Sequence, residues 1–527
     1  MDKDKMPSLK TQVLIIGGGA TGTALARDLA LRGVQCILAE KADINAGATG
    51  ANHGYLHSGA RYVAKDPEIA VECWEESLIV KKVAPQCIED TGGLWVAVQG
   101  DDEKYVADFP QLCRRCGIPI ETISPEEARQ REPYLADNII AAYAVPEATI
   151  DPFRLSCENI QDAIGLGTTL LRYSKVVGFK QKKNRVQAAC LLDTRTGKQT
   201  VVETEVVVNA AGVWAGEVAA LVGAKINVVF SKGTLIITHH RISQGILMHL
   251  RPPSDGDALI PGGTVSIFGT SSVTIDSPDD CYPTVAEVNH IIQQGAIFLP
   301  ALERERFIRA YAGVRPLIGL PGSDDRELSR DMVLIDHSAD GLENFISITG
   351  GKLTTYRLMA EKTADLVCQR LGNSTSCVTR TTPLPSNPIC RWLETGFSPK
   401  QWLLKNDPKD LIMCECEMVP QSTVNDIISS TVSQTASPEL MTVLHHSRLG
   451  RGACQGTFCG IRTLAHFYDM DKCVADEGLT DLKAFLQNRW KGQRPVLWGA
   501  QLQQAELEEA LHCGLFGLEL QPGGRLA

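Results

Sequence analysis

The stretch that most constrains this chain is its first strand, turn and helix. Residues 13–16 (VLII) form a short apolar run of the kind buried on both faces of a parallel sheet. The run leads into Gly17-Gly18-Gly19-Ala20-Thr21-Gly22, a G-x-G-x-x-G turn, and then into residues 20–30, rich in helix formers with Leu25, Ala26 and Leu29 at helical spacing. A second apolar run, residues 34–39, ends at Glu40, 18 residues beyond Gly22. In such a unit Gly17 allows the tight turn, Gly19 lets backbone approach a pyrophosphate, and Gly22 lets the helix pack against the strand. The acid at the end of the second strand holds a ribose hydroxyl pair and disfavours a 2′-phosphate. An α/β fold that binds the ADP-ribose of FAD or NAD is therefore expected.

Composition narrows the class further. With 527 residues the chain is long enough for several domains, and 44% hydrophobic residues suffice for real cores. A net charge of −10 argues against nucleic acid, whose binding draws affinity from Lys and Arg. The start, MDKDKMPSLK, has no apolar signal core, so the 17 cysteines are expected in a reducing, cytoplasmic compartment. No run reaches the ~20 apolar residues that span a bilayer. Membrane contact is expected only through a partner or a surface patch.

The choice of dinucleotide comes from later segments. Residues 46–54, which include Thr49 and Gly50, form a small-residue run that lets backbone lie against a flat ligand. Residues 205–212 form a strand ending in Asn209-Ala210-Ala211-Gly212, and residues 345–351 a strand ending in Gly350-Gly351. The arrangement resembles the glutathione-reductase-like FAD fold of the D-amino-acid-oxidase and glycerol-3-phosphate-dehydrogenase superfamily. Three motifs are similar to those of the FAD-linked glycerol-3-phosphate dehydrogenases: His57-Ser58-Gly59-Ala60-Arg61-Tyr62, Gly313-Val314-Arg315-Pro316-Leu317 and Gly350-Gly351-Lys352-Leu353-Thr354-Thr355. The resemblance implies a Rossmann-type FAD-binding unit with an inserted β-rich substrate domain. Its FAD-binding segments would be about 10–65, 200–216 and 343–372, with Gly17, Gly19, Gly22, Glu40, Thr49, Gly50, Asn209, Ala211, Gly212, Gly350, Gly351, Lys352, Leu353 and Thr354 at the cofactor. It also implies oxidation of sn-glycerol 3-phosphate at C2 to dihydroxyacetone phosphate.

Oxidising a secondary alcohol that bears a phosphate needs a hydride acceptor, a group that takes the hydroxyl proton, and cations. Arg61, Arg315 and Lys352 are the candidate cations, each in a Gly-rich setting. His57 is the leading proton acceptor, because a neutral imidazole titrates near working pH. Lys232 is a second candidate for phosphate or proton chemistry. Single-subunit relatives carry a histidine in the segment where this chain has Leu235.

The C-terminal third holds Cys414-Glu415-Cys416 and, after 37 intervening residues, Cys454-Gln455-Gly456-Thr457-Phe458-Cys459. Four thiolates suit a [2Fe–2S] cluster, and they also suit tetrahedral zinc, although zinc pairs are more often C-x₂₋₄-C and zinc carries no electrons. The surrounding residues, 419–427 and 448–456, resemble the bacterioferritin-associated-ferredoxin-like [2Fe–2S] domain, a small helical unit. Cys113-Arg114-Arg115-Cys116 has C-x-x-C spacing but no second pair near it in sequence, and the pairs His239-His240 and His445-His446 are adjacent residues that do not make an obvious metal site.

Residues 1–380 thus read as a flavin-dependent oxidoreductase, 381–409 as a proline-rich linker, 410–465 as the cluster domain and 466–527 as a tail, with core or partner contact as its two readings. A two-electron flavin beside a one-electron cluster suits electron export to another protein. The whole resembles the A subunits of the anaerobic glycerol-3-phosphate dehydrogenases. That implies B and C partner subunits, further iron–sulfur centres, room for FMN in a partner, and menaquinone as acceptor at the inner face of the membrane. Two alternatives stay open: a dehydrogenase of proline derivatives or sarcosine on the same fold, and a non-catalytic electron-transfer subunit.

Overall fold

The computed structural model describes residues 7–319, 331–385, 397–432, 439–474 and 476–518. Strand Ser8–Ile16 lies within an eight-stranded sheet, parallel to Cys36–Ala39 on one side and to Gln199–Asn209 on the other. Its side chains alternate between two cores. Val13 and Ile15 pack with the helices Ala20–Leu31, Pro152–Gly165 and Tyr356–Leu371, while Leu14 and Ile16 pack with Val207, Val218 and Phe345. That two-sided burial is why the run is apolar throughout.

Register places the functional ends together. Ile16 stands beside Ala39 and Asn209, and strand Phe345–Gly350 joins Gln199–Asn209 in parallel with Ser347 beside Asn209. The carboxyl ends of four strands therefore open on one side, where parallel sheets bind ligands. A second, nine-stranded sheet covers that side. Its strand Val228–Thr238 pairs antiparallel with Phe307–Ile318, setting Ser231 beside Arg315 and Gly233 beside Gly313.

The C-terminal unit has its own core, in which Cys414, Val424, Leu440, Cys459 and Phe467 pack with Leu482, Phe485, Leu486 and Leu518. Residues past 465, read from sequence as a tail, thus share the core of the cysteine loops up to Leu518. The expected linker falls partly outside the described residues, at 386–396, as do residues 519–527. The unit docks on the first sheet's layer. Asp43 accepts from the Thr442 hydroxyl at 2.8 Å and pairs with Arg172 at 3.2 Å, and the Phe153 ring lies 5.4 Å from His445 and 4.6 Å from the Arg451 guanidinium. Helix Glu477–Gln493 reaches the second sheet through Arg309 Nη2, which donates to Asn488 at 2.7 Å. Among the described residues no helix is long and apolar enough to cross a membrane.

Candidate functional site

A cavity of about 600 Å³ runs between the two sheets. At one end its wall is backbone. Gly17 has φ +114°, and a Cβ there would stand 2.4 Å from the Ala210 carbonyl oxygen; at Gly22 it would stand 1.9 Å from that of Gly17. Gly19 precedes helix Ala20–Leu31 with no side-chain cap of its own, and the Ala20 N–H donates instead to Thr49 Oγ1 at 3.0 Å. Glu40 is held by the N–H groups of Gly18, at 2.7 Å, and Ala42, at 2.9 Å, one on each carboxylate oxygen. Burial pushes its carboxyl up, against the pull of those two donors. One lone pair on each oxygen remains for a ribose hydroxyl. Further along, Lys41 Nζ sits 3.4 Å above the Trp214 ring.

Cations gather at the other end. His57, Arg61, Arg315 and Lys352 all line the cavity. The His57 backbone N–H donates to Thr354 Oγ1 at 3.0 Å, and its ring lies 3.7 Å from that of Tyr55. The loop is anchored from behind by Glu147, fully buried, which accepts from the Ser58 N–H at 2.7 Å, the Ser58 hydroxyl at 2.8 Å and Trp95 Nε1 at 3.3 Å. Lys352 Nζ is buried without a hydrogen-bond partner among the described residues, 5.2 Å over the Tyr62 ring. Arg315 donates to Ser231 Oγ at 3.3 Å, to the Thr270 hydroxyl and to the Ser271 carbonyl at 3.2 Å. A Cβ at Gly233 would fall 2.3 Å from Arg315 Nη2, so that glycine makes room for the guanidinium. Arg61 pairs with Asp257 at 3.2 Å, a carboxylate shared with Arg251 at 2.8 Å.

Several expected residues lie elsewhere. Lys232 does not line the cavity. It neighbours Ser231 and Gly233 on one strand and so faces the other way, where its ammonium pairs with Glu287 at 3.0 Å and donates to the Tyr282 carbonyl at 2.9 Å. Gly22, Gly50, Asn209 and Thr354 stand one layer behind the wall. Asn209 is fully buried and ties Ala215 to Ser347, and Gly50 packs against Asn45 and Phe153. The other cofactor positions, Gly17, Gly19, Glu40, Thr49, Ala211, Gly212, Gly350, Gly351, Lys352 and Leu353, do line it. Tyr55, Glu147, Asp257 and Thr270 were not singled out. Tyr55 had a usable signal, since it precedes His57 by two and shares its side of the chain; the other three lie outside any motif.

The four cysteines of the C-terminal unit come together as two pairs, Cys414 with Cys459 and Cys416 with Cys454. The bond from Cys459 holds the Cys414 thiol below the usual range, and burial pushes Cys416 up to about 11. Among the described residues no three His, Cys, Asp or Glu side chains converge on a single ion. Each pair also feels a thiol of the other, so four sulfur donors stand together, a set that suits a binuclear cluster or a tetrahedral ion. Cys113 and Cys116 instead sit in an apolar core with Trp95 and Phe109, where burial pushes Cys113 up to about 12.

The chain matches the DAO family, FAD dependent oxidoreductases, over residues 12–366. It is 38% identical over 537 residues to the A subunit of the anaerobic glycerol-3-phosphate dehydrogenase of Escherichia coli (strain K12), covering 97% of this chain and 98% of that one. To the same-named protein of Haemophilus influenzae it is 37% identical over 543 residues, covering 98% and 95%. Among solved structures, the glycerol-3-phosphate dehydrogenase from Bacillus halodurans complexed with FAD shares the fold, with a TM-score of 0.66 at 20% identity over 93% of this chain and 96% of that one. The glycine cradle, the carboxylate at Glu40 and the matched span agree in making this chain an FAD-dependent oxidoreductase that belongs to the family of the anaerobic glycerol-3-phosphate dehydrogenase A subunits.

Proposed function

We propose that this chain oxidises sn-glycerol 3-phosphate to dihydroxyacetone phosphate and passes the electrons, through a [2Fe–2S] centre on Cys414, Cys416, Cys454 and Cys459, to B and C partner subunits and a membrane quinone. The observation that carries the reading is the group of three cations around His57. Arg315 presents a guanidinium held in place by Ser231, Thr270 and Ser271, and Lys352 presents a buried ammonium with no hydrogen bond. A buried, unpaired cation is costly, and a substrate phosphate would satisfy it. Arg61, tied to Asp257, adds charge at the same end of the cavity.

FAD, when bound along the glycine wall, supplies the hydride acceptor. His57 is placed to take the hydroxyl proton, with Tyr55 against its ring and Thr354 holding its backbone. The C-x-C spacing of Cys414 and Cys416 favours the cluster over zinc, whose pairs are more often C-x₂₋₄-C, and one-electron chemistry there suits export to a partner. With no membrane-crossing helix among the described residues, the membrane is reached at its inner face through the partners. The three cations also weigh against a proline-type or sarcosine substrate, which carries one carboxylate and no phosphate.

Anaerobic addition of sn-glycerol 3-phosphate to the FAD-loaded protein should bleach the flavin absorbance, while proline and sarcosine should not. Flavin that stays oxidised with glycerol 3-phosphate would sink the proposal. Iron and acid-labile sulfide should both come to about two per chain; zinc without sulfide would overturn the cluster assignment alone.

A further inference from the structure

We infer that Arg489, on helix Glu477–Gln493 and outside both cysteine loops, supplies the fixed positive charge that raises the reduction potential of the cluster on Cys414, Cys416, Cys454 and Cys459. The inference rests on the cluster assignment above and extends it to a residue with no place in the cysteine motifs.

The placement comes from packing. Phe485 on the same helix fills the space beside the last cysteine loop: a Cβ at Gly456 would lie 2.5 Å from its ring and one at Gly460 2.6 Å, and these two glycines bracket Cys459. Arg489 follows Phe485 by four residues, one helical turn along the same face. Its guanidinium accordingly lies within the field of Cys454 and Cys459.

Its own bonding leaves that charge available. Among the described residues Nη1 is buried without a hydrogen-bond partner and Arg489 makes no ion pair. Burial draws the guanidinium down to about 10, which still leaves it charged at neutral pH. The other cations around the loops are committed: Arg448 to Glu417, Arg462 to Glu415, and Arg451 to Asp151 at 3.5 Å. Arg309, whose charge opposes that of Arg489, bonds to Asn488. The acid whose field reaches Arg489 is Glu508 on the last helix, which accepts a hydrogen bond from Gln504. A desolvated cation held this way is unfavourable until an anion stands opposite.

The cluster is such an anion. Two ferric ions, two sulfides and four thiolates sum to a double negative charge, and one-electron reduction makes it triple. A fixed positive charge stabilises the second state more than the first, so it raises the potential and favours transfer of an electron from flavin to cluster.

The test is an EPR-monitored redox titration of the full chain carrying FAD and cluster, with Arg489→Met and Arg489→Lys beside the unmodified protein. Arg489→Met should keep FAD, iron and sulfide, but at any fixed potential its ratio of reduced to oxidised cluster should fall about tenfold, a downward shift of about 59 mV for a one-electron couple. Arg489→Lys, which retains the charge, should stay within about twofold of the unmodified ratio, or about 18 mV on the same scale. An unchanged ratio in cluster-bearing Arg489→Met overturns the inference and leaves the cluster assignment standing. If Arg489→Met loses its cluster, Arg489→Lys decides: cluster and ratio retained support a charge requirement, and loss in both variants overturns it. Absence of iron and sulfide from the unmodified protein overturns the cluster assignment, and this inference with it.

Discussion

At the flavin end of the molecule the wall and the layer behind it are close-packed backbone: at Gly17 on the wall and at Gly22 and Gly59 behind it, a carbonyl oxygen stands within 2.4 Å of where a Cβ would be. At the cysteine end the walls are side chains on short loops, with Cys414 and Cys459 buried and Cys416 exposed. The first site is finished by the sheet, because strand register fixes where each glycine and cation stands before any ligand arrives. On the proposed cluster reading the second is finished by its ligand, since four thiols would lose protons and close around the irons, which couples binding to local folding. Damage should therefore appear as steric failure at one end and as lost metal at the other.

The largest effect is expected at Gly22. An added methyl would overlap the Gly17 carbonyl at 1.9 Å, and neither backbone can move without shifting the strand or helix Ala20–Leu31. Ordinary overpacking costs about 1–3 kcal/mol, and this contact is tighter than overpacking normally produces. Gly22→Ala should yield protein without flavin, read from the ratio of flavin to protein absorbance. Normal flavin content would show that the wall is not rigid. At the other end, Cys454→Ser should lose iron and sulfide and keep FAD, checked by metal and flavin analysis of one sample. Joint loss of both would mean that the two ends are not built independently.

What was legible in the sequence follows the same division. The strand, turn and helix around Gly17–Gly22 could be read because the apolar run, the glycine spacing and the helix formers follow one another in sequence, and the three cation motifs because each sits in a distinctive glycine setting. Lys232 misled because its direction depends on the pairing of strand Val228–Thr238 with Phe307–Ile318, which composition does not announce. Asp257 and Thr270 flank strands Ala258–Gly262 and Val265–Gly269, which carry no motif. Helix Glu477–Gln493 read as tail because its apolar residues are few; only docking shows that Leu482, Phe485 and Leu486 complete the core around the cysteines.

Two cations on neighbouring strands separate substrate binding from stability. Arg315→Ala should raise KM for glycerol 3-phosphate about tenfold to a hundredfold, since a hydrogen bond to a charged group contributes about 1.5–3 kcal/mol. Lys232→Met should leave KM within about twofold and instead destabilise by about 3 kcal/mol, because Glu287 would be left buried without its partner. Steady-state kinetics and urea unfolding on the same preparations decide between them. The reverse pattern, with Lys232→Met raising KM and Arg315→Ala leaving it unchanged, would exchange the two roles.

The smallest effect belongs to the C-terminal unit and depends on pH. Asp410 accepts from the Ser422 N–H at 2.9 Å and hydroxyl at 2.6 Å, capping helix Gln421–Val432 from a distance, and pairs with Lys405 at 3.0 Å. Burial alone would push its carboxyl up, but the two Ser422 donors and the Lys405 ammonium outweigh it and hold the group below the usual carboxylate range. A folded-state value depressed in this way contributes stability above the unfolded pKa near 3.9 and loses it as pH falls through the folded value. Asp410→Ala should therefore cost about 1 kcal/mol at pH 7, the usual worth of a lost cap. Urea unfolding followed by circular dichroism should show that difference shrinking as the pH is lowered through the range where the carboxyl protonates. A difference that stays constant with pH would mean that Asp410 acts through packing and not through its charge.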